Sequence, residues 1–314
     1  MEIEKLKEEL KALNSEYVKI REIPAEERKA FGIQMNEKKQ AILAKIAEAE
    51  AAAESADVKP IDITAPSAPN QAIPTIKRGS KHPLMIELDK VADIYTRMGF
   101  DVIEARQLDD EYHMFDSLNF PKGHPARDGY DTFRTSENFI PPAHTSTMQN
   151  RALTMFKHKL DEGGKIAVAI PGRVFRNEDV DATHEHTFYQ CEGVYVSEDA
   201  TMGQMLAVLS SFFEEYYGQK LNTKTQPGFF PFTEPSLELL IEKPKNLAGK
   251  GDGWLEMLGC GMIHPNVLKN AGIDPNKYKG FAWGGGIDRL VMLKYQLNDV
   301  RYFESGKLNF LEEF

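Results

Sequence analysis

The stretches Pro171-Gly-Arg-Val-Phe-Arg-Asn-Glu178 and Thr187-Phe-Tyr-Gln-Cys-Glu-Gly193 decide the fold of this chain. Together with the polar residues between them they predict a strand, a long loop and a second strand, which is a β-hairpin. Alternate residues of a strand lie on the same face of the sheet. One face of the hairpin therefore carries Arg176 and Glu178 from the first half and Phe188, Gln190 and Glu192 from the second.

An arginine, an aromatic ring and carboxylates on one sheet surface can hold a phosphate, a base and an amine, respectively. The spacing alone leaves a second interpretation open, namely a surface hairpin with cross-strand ion pairs. His184 and His186 lie two residues apart in the loop, but without a cysteine or third ligand beside them a zinc site is not expected. Asp128 and Asp131 could be metal ligands, but a turn-forming role explains these two aspartates at least as well.

A second informative stretch is Gly280-Phe-Ala-Trp-Gly-Gly-Gly-Ile-Asp-Arg-Leu290. It predicts a strand, a glycine turn and a helix that carries Arg289 in its first turn. Glycines let a ligand approach the backbone closely, and arginine can bind a phosphate with two hydrogen bonds. An ordinary strand-turn-helix connection remains the alternative.

The pattern of the remaining chain predicts three parts. Residues 1–56 carry an apolar seam with three- and four-residue spacing, which predicts a helical coiled-coil hairpin. Residues 57–80 contain Pro60, Pro66, Pro69 and Pro74 without apolar periodicity, which predicts an extended linker. Residues 81–314 predict an α+β domain with a mainly antiparallel sheet flanked by helices.

The composition narrows the classes of protein. The 314 residues carry a formal charge of −10 and two cysteines, Cys191 and Cys260, so a disulfide framework or a CxxC zinc site is not expected. The charged N-terminus and the lack of a long apolar run predict a cytoplasmic protein without a membrane anchor. The chain has no GxxxxGK[ST] loop and no GxGxxG after a strand, so side chains on strands would have to hold any nucleotide.

Several motifs together resemble the bacterial-type phenylalanyl-tRNA synthetase alpha subunits, a family of class II aminoacyl-tRNA synthetases. Phe175-Arg-Asn-Glu178 resembles motif 2 of class II, and Gly284-Gly-Gly-Ile-Asp-Arg289 resembles motif 3. Further matches, in the family's order along almost the whole chain, are His124-Pro-Ala-Arg-Asp128, His144-Thr-Ser146, Asp181-Ala-Thr-His184, Phe230-Pro-Phe-Thr-Glu-Pro-Ser236 and Gly259-Cys-Gly-Met262. One departure is Pro142-Ala143, where the family usually has Arg-Thr.

The resemblance implies a role for each matching position. Arg176 and Arg289 would be catalytic and would hold the α- and γ-phosphates of ATP. The other ATP-binding residues would be Glu178, His184 and Phe188, with Glu234 helping to hold Mg²⁺. The amino-acid site would comprise Tyr130, His144, Ser146, Gln190, Glu192, Phe230, Phe232 and Ala282.

The implied activity is activation of phenylalanine with ATP and transfer to the 3′ end of tRNA(Phe). The implied partner is a separate beta subunit in an alpha2-beta2 heterotetramer, with the N-terminal helices contacting tRNA. Two alternatives remain: a catalytically silent synthetase-like binding or regulatory protein, and a class II enzyme for another bulky amino acid. Loss of a phosphate arginine or an ammonium ligand would favour the silent protein, yet Arg176, Arg289, Gln190 and Glu192 are all present.

Overall fold

The computed structural model describes residues 2–17, 28–56, 79–127, 132–242 and 253–314. It divides into two compact units, residues 1–78 and 79–314. Most of the predicted linker lies outside the described residues. The predicted turn between the N-terminal helices and Tyr130 lie wholly outside them. The division into parts at residues 56 and 80 stays a prediction.

The first unit contains two helices that contact each other, Glu2–Tyr17 (α1) and Arg28–Ala56 (α2). They account for the helical N-terminal region that the apolar seam predicts. Met35 and Ile46 of α2 are buried, whereas most other described side chains of the two helices are exposed. Such a surface is typical of a solvated helical arm.

The second unit is built on a seven-stranded sheet. Its helices are Pro83–Arg97 (α3), Glu111–Met114 (α4), Gln149–Asp161 (α5), Met202–Tyr217 (α6), Pro265–Asn270 (α7), Ile287–Tyr295 (α8) and Leu308–Leu311 (α9). Its strands are Asp101–Val102 (β1), Ile166–Phe175 (β2), Thr187–Ser197 (β3), Thr223–Gly228 (β4), Thr233–Glu242 (β5), Trp254–Ile263 (β6) and Lys279–Gly286 (β7). The order across the sheet is β1-β2-β3-β7-β6-β5-β4.

The sheet is mainly antiparallel, as predicted. Among the strands of the described residues, the short pair of β1 with β2 is parallel and each of the other neighbouring pairs is antiparallel. The hairpin predicted from motif 2 is formed by β2 and β3, with Phe175 opposite Thr187 at the end next to the connecting loop. The backbone N–H of Arg176 then donates to the carbonyl of His186 at 2.9 Å, which extends the pairing by one residue.

The prediction of a glycine turn before α8 was wrong. Gly284, Gly285 and Gly286 are residues of β7 and pair with Glu192, Cys191 and Gln190 of β3. The helix follows the strand directly, with Gly286 in extended conformation as its N-cap residue. The glycines therefore form part of the sheet surface rather than a loop beside it.

Two hydrophobic cores cover the two faces of the sheet. The larger contains Tyr95 of α3, Phe212 of α6 and Leu290 of α8 against Trp283 and other sheet residues. The smaller packs α5 and α7 against the opposite face and includes Ala282. Beyond the second core, this opposite face also lines the large cavity described below.

Candidate active site

A cavity of about 950 Å³ opens over strands β3, β5, β6 and β7. This volume lies within the range of pockets that hold small molecules. Predicted site residues that line it are Arg176, Glu178, His184, Phe188, Arg289, His144, Ser146, Gln190, Glu192, Phe230, Phe232 and Ala282. Side chains from both halves of the hairpin and from the end of β7 thus meet around one space.

A buried carboxylate lies at the inner end of the cavity. Glu192 of β3 is 2% exposed, and its Oε2 accepts a hydrogen bond from the Ser146 hydroxyl at 2.7 Å. The Gln149 side-chain amide donates to the other carboxylate oxygen. Burial raises the pKa of Glu192 to about 7, although both hydrogen bonds favour the charged form. A cationic group placed beside Glu192 would lower this pKa and bind to the carboxylate.

His144 is an uncharged polar group that lines the same cavity. Burial and the positive charge of Arg176 lower the pKa of His144 to about 3, so its imidazole is uncharged at neutral pH. Both ring nitrogens are buried and have no hydrogen-bond partner within the described part of the chain. Buried polar atoms normally have a partner, and His144 lines the cavity, so its imidazole is a candidate contact for a bound ligand.

An aromatic wall lies next to His144. The Phe230 and Phe232 rings are stacked with their centroids 5.8 Å apart, and the Phe232 ring lies 6.2 Å from the His144 ring. The Phe120 ring lies parallel to the His144 ring, also with centroids 6.2 Å apart, and its centroid is 6.0 Å from that of Phe232. Ala282 is 2% exposed and its methyl group lies in the cavity floor. The wall can accept a flat apolar ring.

The outer part of the cavity carries the two arginines. The Arg176 guanidinium lies over the Phe188 ring, 5.0 Å from its centroid, and its Nε donates to the carbonyl of Ala143 at 3.0 Å. Arg289 lies in the first turn of α8 and donates to the backbone carbonyl of Glu256 at 3.1 Å. Arg176 lies on the β2–β3 hairpin and Arg289 on α8, and both side chains face the cavity.

Asp288 links these two elements. Its carboxylate accepts a hydrogen bond of 2.6 Å from the backbone N–H of Tyr189, between Phe188 and Gln190 on β3. The bond continues the β3–β7 ladder where β7 ends at Gly286. Burial raises the pKa of Asp288 to about 7. Asp288 therefore sets the position of Arg289 relative to the β3 residues that line the cavity.

Two predicted residues stand apart from the buried site. Glu234 is exposed and does not line the cavity, whereas Glu238 and Glu256 do. His184 lies in the exposed loop at the cavity edge, and its Nδ1 is 3.0 Å from an Asp181 carboxylate oxygen. Within the described residues, the grouping of potential metal ligands is Asp109, Asp110 and His113, so His184 and His186 do not form one with a third ligand.

The backbone explains how the Pro142-Ala143 departure is accommodated. The Pro142 carbonyl accepts from the Phe175 N–H at 2.8 Å, and the Ala143 carbonyl accepts from Arg176 Nε. These contacts use main-chain oxygens, which any residue supplies. The loss of the family's arginine side chain therefore leaves the anchoring of Arg176 in place.

Sequence reasoning missed Phe120 and Gln149. Phe120 follows a short 3₁₀ turn and reaches the cavity only through the tertiary fold, so no local pattern marks it. Gln149 is the first residue of α5, three residues after Ser146 of the His144-Thr-Ser146 motif, and is fully buried. Its distance of three residues from Ser146, one helical turn, is the signal that could have found it.

The class of protein follows from comparison with known families. Residues 60–314 match the core domain of class II tRNA synthetases, and residues 2–59 match the N-terminal domain of class II aminoacyl-tRNA synthetases. The cavity and both motif arginines lie within the first of these matches. The sheet, which is antiparallel apart from one edge pair, agrees with this class.

The relatives identify the family within that class. The phenylalanine–tRNA ligase alpha subunit of Bacillus licheniformis is 40% identical, covering 93% of this chain and 85% of the relative. Those of Anoxybacillus flavithermus and Staphylococcus carnosus are 39% and 38% identical, covering 92% and 94% of this chain and 84% of each relative. The chain therefore belongs to the phenylalanine–tRNA ligase alpha subunits of class II.

Proposed function

We propose that this chain is the catalytic alpha subunit that activates phenylalanine with ATP and transfers it to the 3′ end of tRNA(Phe). One observation carries the proposal. A single cavity combines a buried carboxylate and hydroxyl, Glu192 and Ser146, with an aromatic wall and two arginines. These are the groups needed for an ammonium, a phenyl ring and a polyphosphate, respectively.

The inner end suits the amino acid. Its ammonium would donate to Glu192 and Ser146 and be flanked by Gln190 and neutral His144, because carboxylate, hydroxyl, amide oxygen and uncharged imidazole can all accept. The ring would lie against Phe230, Phe232 and Phe120 over Ala282. An apolar wall offers no partner to a tyrosine hydroxyl, which would lose its hydrogen bonds with water on binding. Tyr130 closing this pocket stays a prediction.

The outer end suits ATP. Arg176 would hold the α-phosphate, Arg289 the γ-phosphate, and Phe188 would stack on adenine with Glu178 near its amino group. The phenylalanine carboxylate would attack the α-phosphorus in line, forming the adenylate and releasing pyrophosphate. Charge develops on phosphate oxygens in this step, so positioning and electrostatic stabilisation by the arginines provide the catalysis. No protein nucleophile is needed.

A magnesium ion is part of the proposal. Mg²⁺ is bound in proteins by a few carboxylates together with substrate phosphates, whose charge it neutralises. Glu256, whose backbone carbonyl accepts from Arg289, and Asp288, next to Arg289 in sequence, both line the cavity, and so does Glu238 of strand β5. Glu238 and Glu256 have the donor chemistry for this ion and are not buried, so we place it with them. The prediction for Glu234 is retained only as an alternative ligand outside the cavity.

The relatives are named alpha subunits, which supports a separate beta subunit as partner. We propose an alpha2-beta2 heterotetramer that works in the cytoplasm, with the N-terminal helices contacting tRNA. Among the described residues no helix is long and apolar enough to cross a bilayer.

The proposal is tested by phenylalanine-dependent exchange between ATP and labelled pyrophosphate, measured with and without the co-expressed beta subunit. Exchange that depends on phenylalanine and not on tyrosine is the expected result. Absence of exchange under both conditions would refute the enzymatic function. Binding of phenylalanine or ATP without exchange would instead support the catalytically silent alternative.

A further inference from the structure

The floor of the cavity contains a row of paired strand positions in which two central residues have no side chain. Gly259 of β6 pairs with Gly284 of β7, and the row continues to Glu192 on β3 and Glu238 on β5. Directly paired residues point to the same face of a sheet. All four positions line the cavity. The two glycines thus leave a flat strip of backbone between two carboxylates.

The Phe230 ring rests on this strip at Gly259. A Cβ atom at position 259 would lie 2.6 Å from Cζ and 2.8 Å from Cε2 of the ring. Carbon atoms in contact lie about 3.5–4.0 Å apart, so the ring would have to move by about 1 Å. The Phe230 backbone is held by Ser236, whose hydroxyl accepts from the Phe230 N–H at 3.1 Å. The ring, at the free end of the side chain, is the part that would move.

Glu192 uses the other half of the strip. A Cβ atom at Gly284 would lie 2.8 Å from Glu192 Oε2. This is the oxygen that accepts from Ser146, whereas the other oxygen accepts from Gln149. A methyl group at 284 would therefore displace the carboxylate oxygen nearest to Ser146. The two glycines act on opposite ends of the amino-acid pocket, one on the ring wall and one on the carboxylate.

We propose that Gly259 and Gly284 are specificity-determining residues of the amino-acid pocket. Their missing side chains let Phe230 and Glu192 lie low over the sheet, so that the pocket fits a flat aromatic side chain and its α-ammonium together. The inference rests on the proposed function and assigns to each glycine one part of the substrate. If the glycines had only a structural role, their substitution would destabilise the sheet and weaken the binding of phenylalanine and ATP alike.

The experiment uses the alpha subunit in complex with its beta subunit and compares Gly259→Ala, Gly284→Ala and the control Gly203→Ala. Gly203 lies in α6, where an added Cβ would meet only the Thr201 hydroxyl at 3.9 Å. In phenylalanine-dependent exchange, kcat/KM for phenylalanine should fall about tenfold or more in the first two variants, the effect typical of one methyl group in a fitted pocket. The KM for ATP should change less than about twofold, and the control should match the parent protein.

A competitive inhibitor without an ammonium, 3-phenylpropanoate, separates the two glycines. Gly259→Ala should weaken its inhibition, because the inhibitor still needs the ring wall. Gly284→Ala should leave the inhibition unchanged, because 3-phenylpropanoate has no ammonium to bind the Glu192 carboxylate. The opposite pattern, or equal losses for phenylalanine and ATP, would overturn the assignment.

A double-mutant cycle guards against misfolding. Leucine at position 230 has no atom where Phe230 Cζ lies. Gly259→Ala should therefore lower kcat/KM for phenylalanine by a smaller factor in the Phe230→Leu background than in the parent. If Gly259→Ala alone does not fold, the double variant should fold. If the double variant also fails to fold, or if Gly259→Ala lowers kcat/KM equally in both backgrounds, the added methyl group disturbs the backbone and not the Phe230 ring. A parent complex without phenylalanine-dependent exchange would refute the proposed function instead.

Discussion

With Glu192 as the proposed ligand of the substrate ammonium, its raised pKa should make phenylalanine binding depend on pH in a defined direction. The free protein holds this carboxyl with a pKa of about 7 because it is buried. An ammonium binds the ionised form, so binding releases a proton wherever Glu192 is protonated beforehand. Binding should therefore strengthen as pH rises through 7 and weaken as pH falls through it.

The size of the effect follows from the ionised fraction. With a pKa of about 7, this fraction falls from about 0.9 at pH ~8 to about 0.1 at pH ~6. The KM for phenylalanine at saturating ATP should thus rise about tenfold over this range. His144, with a pKa of about 3, does not titrate there. Exchange rates at several phenylalanine concentrations, measured in steps of pH, give the profile.

Two variants separate Glu192 from other titrating groups. Glu192→Gln cannot ionise, so it should give a flat pH profile for the KM of phenylalanine and, at pH ~8, bind phenylalanine about 10- to 100-fold more weakly, as loss of a charged hydrogen bond implies. Asp288 also lines the cavity and its pKa is raised to about 7, so Asp288→Asn is the matched control and should retain the profile. A KM independent of pH in the parent, or an unchanged pH profile in Glu192→Gln, would refute the reasoning.

Three further predictions concern Arg289, the hydrogen bond from Tyr189 to Asp288, and the ion pair of Lys294 with Glu87. Arg289→Ala should reduce exchange at least about 100-fold while circular dichroism stays unchanged, and retained activity would contradict its role. Asp288→Ala leaves the Tyr189 N–H unpaired and should lower the free energy of unfolding by about 1–3 kcal/mol in urea titrations, with Asp288→Asn closer to the parent. Lys294→Met removes the ion-pair partner of Glu87, a carboxylate that is 1% exposed and also accepts from the Tyr295 hydroxyl. Because Glu87 would stay buried without its counter-charge, the free energy of unfolding should fall by about 3 kcal/mol. A loss no larger than that of a surface lysine variant would contradict this.

Local patterns were sufficient for the hairpin that carries Arg176. The residues of β2 and β3 have strand-forming side chains with a clear loop between them, and the structure pairs them as predicted. The apolar spacing from Leu84 to Met98 likewise predicts a helix that stops at Gly99; the structure has α3 there, and Gly99 has a φ of 86° that favours glycine. In these elements the local preference and the tertiary fold agree.

Other elements had no local signal. The glycines of β7 lack side chains, so no period of two marks them as a strand, and their conformation is set by pairing with β3 and β6. Strand β4 contains Pro227, which lowers strand propensity and is tolerated because β4 is at the edge of the sheet. The site residues Phe120 and Gln149 depend on contacts between distant segments. Periodicity within one segment cannot predict these contacts.

The sheet order has a consequence for how the protein acquires activity. Tyr189 and Asp288 are hydrogen-bonded although they lie 99 residues apart in the chain, so the pairing of β3 with β7 has to close a long loop. Closing such long loops is slow, and folding rates fall as contacts become less local. The two arginines come together only when this central pairing is complete. Recovery of exchange activity during refolding should therefore follow the last cooperative phase, and no earlier collapsed species should be active.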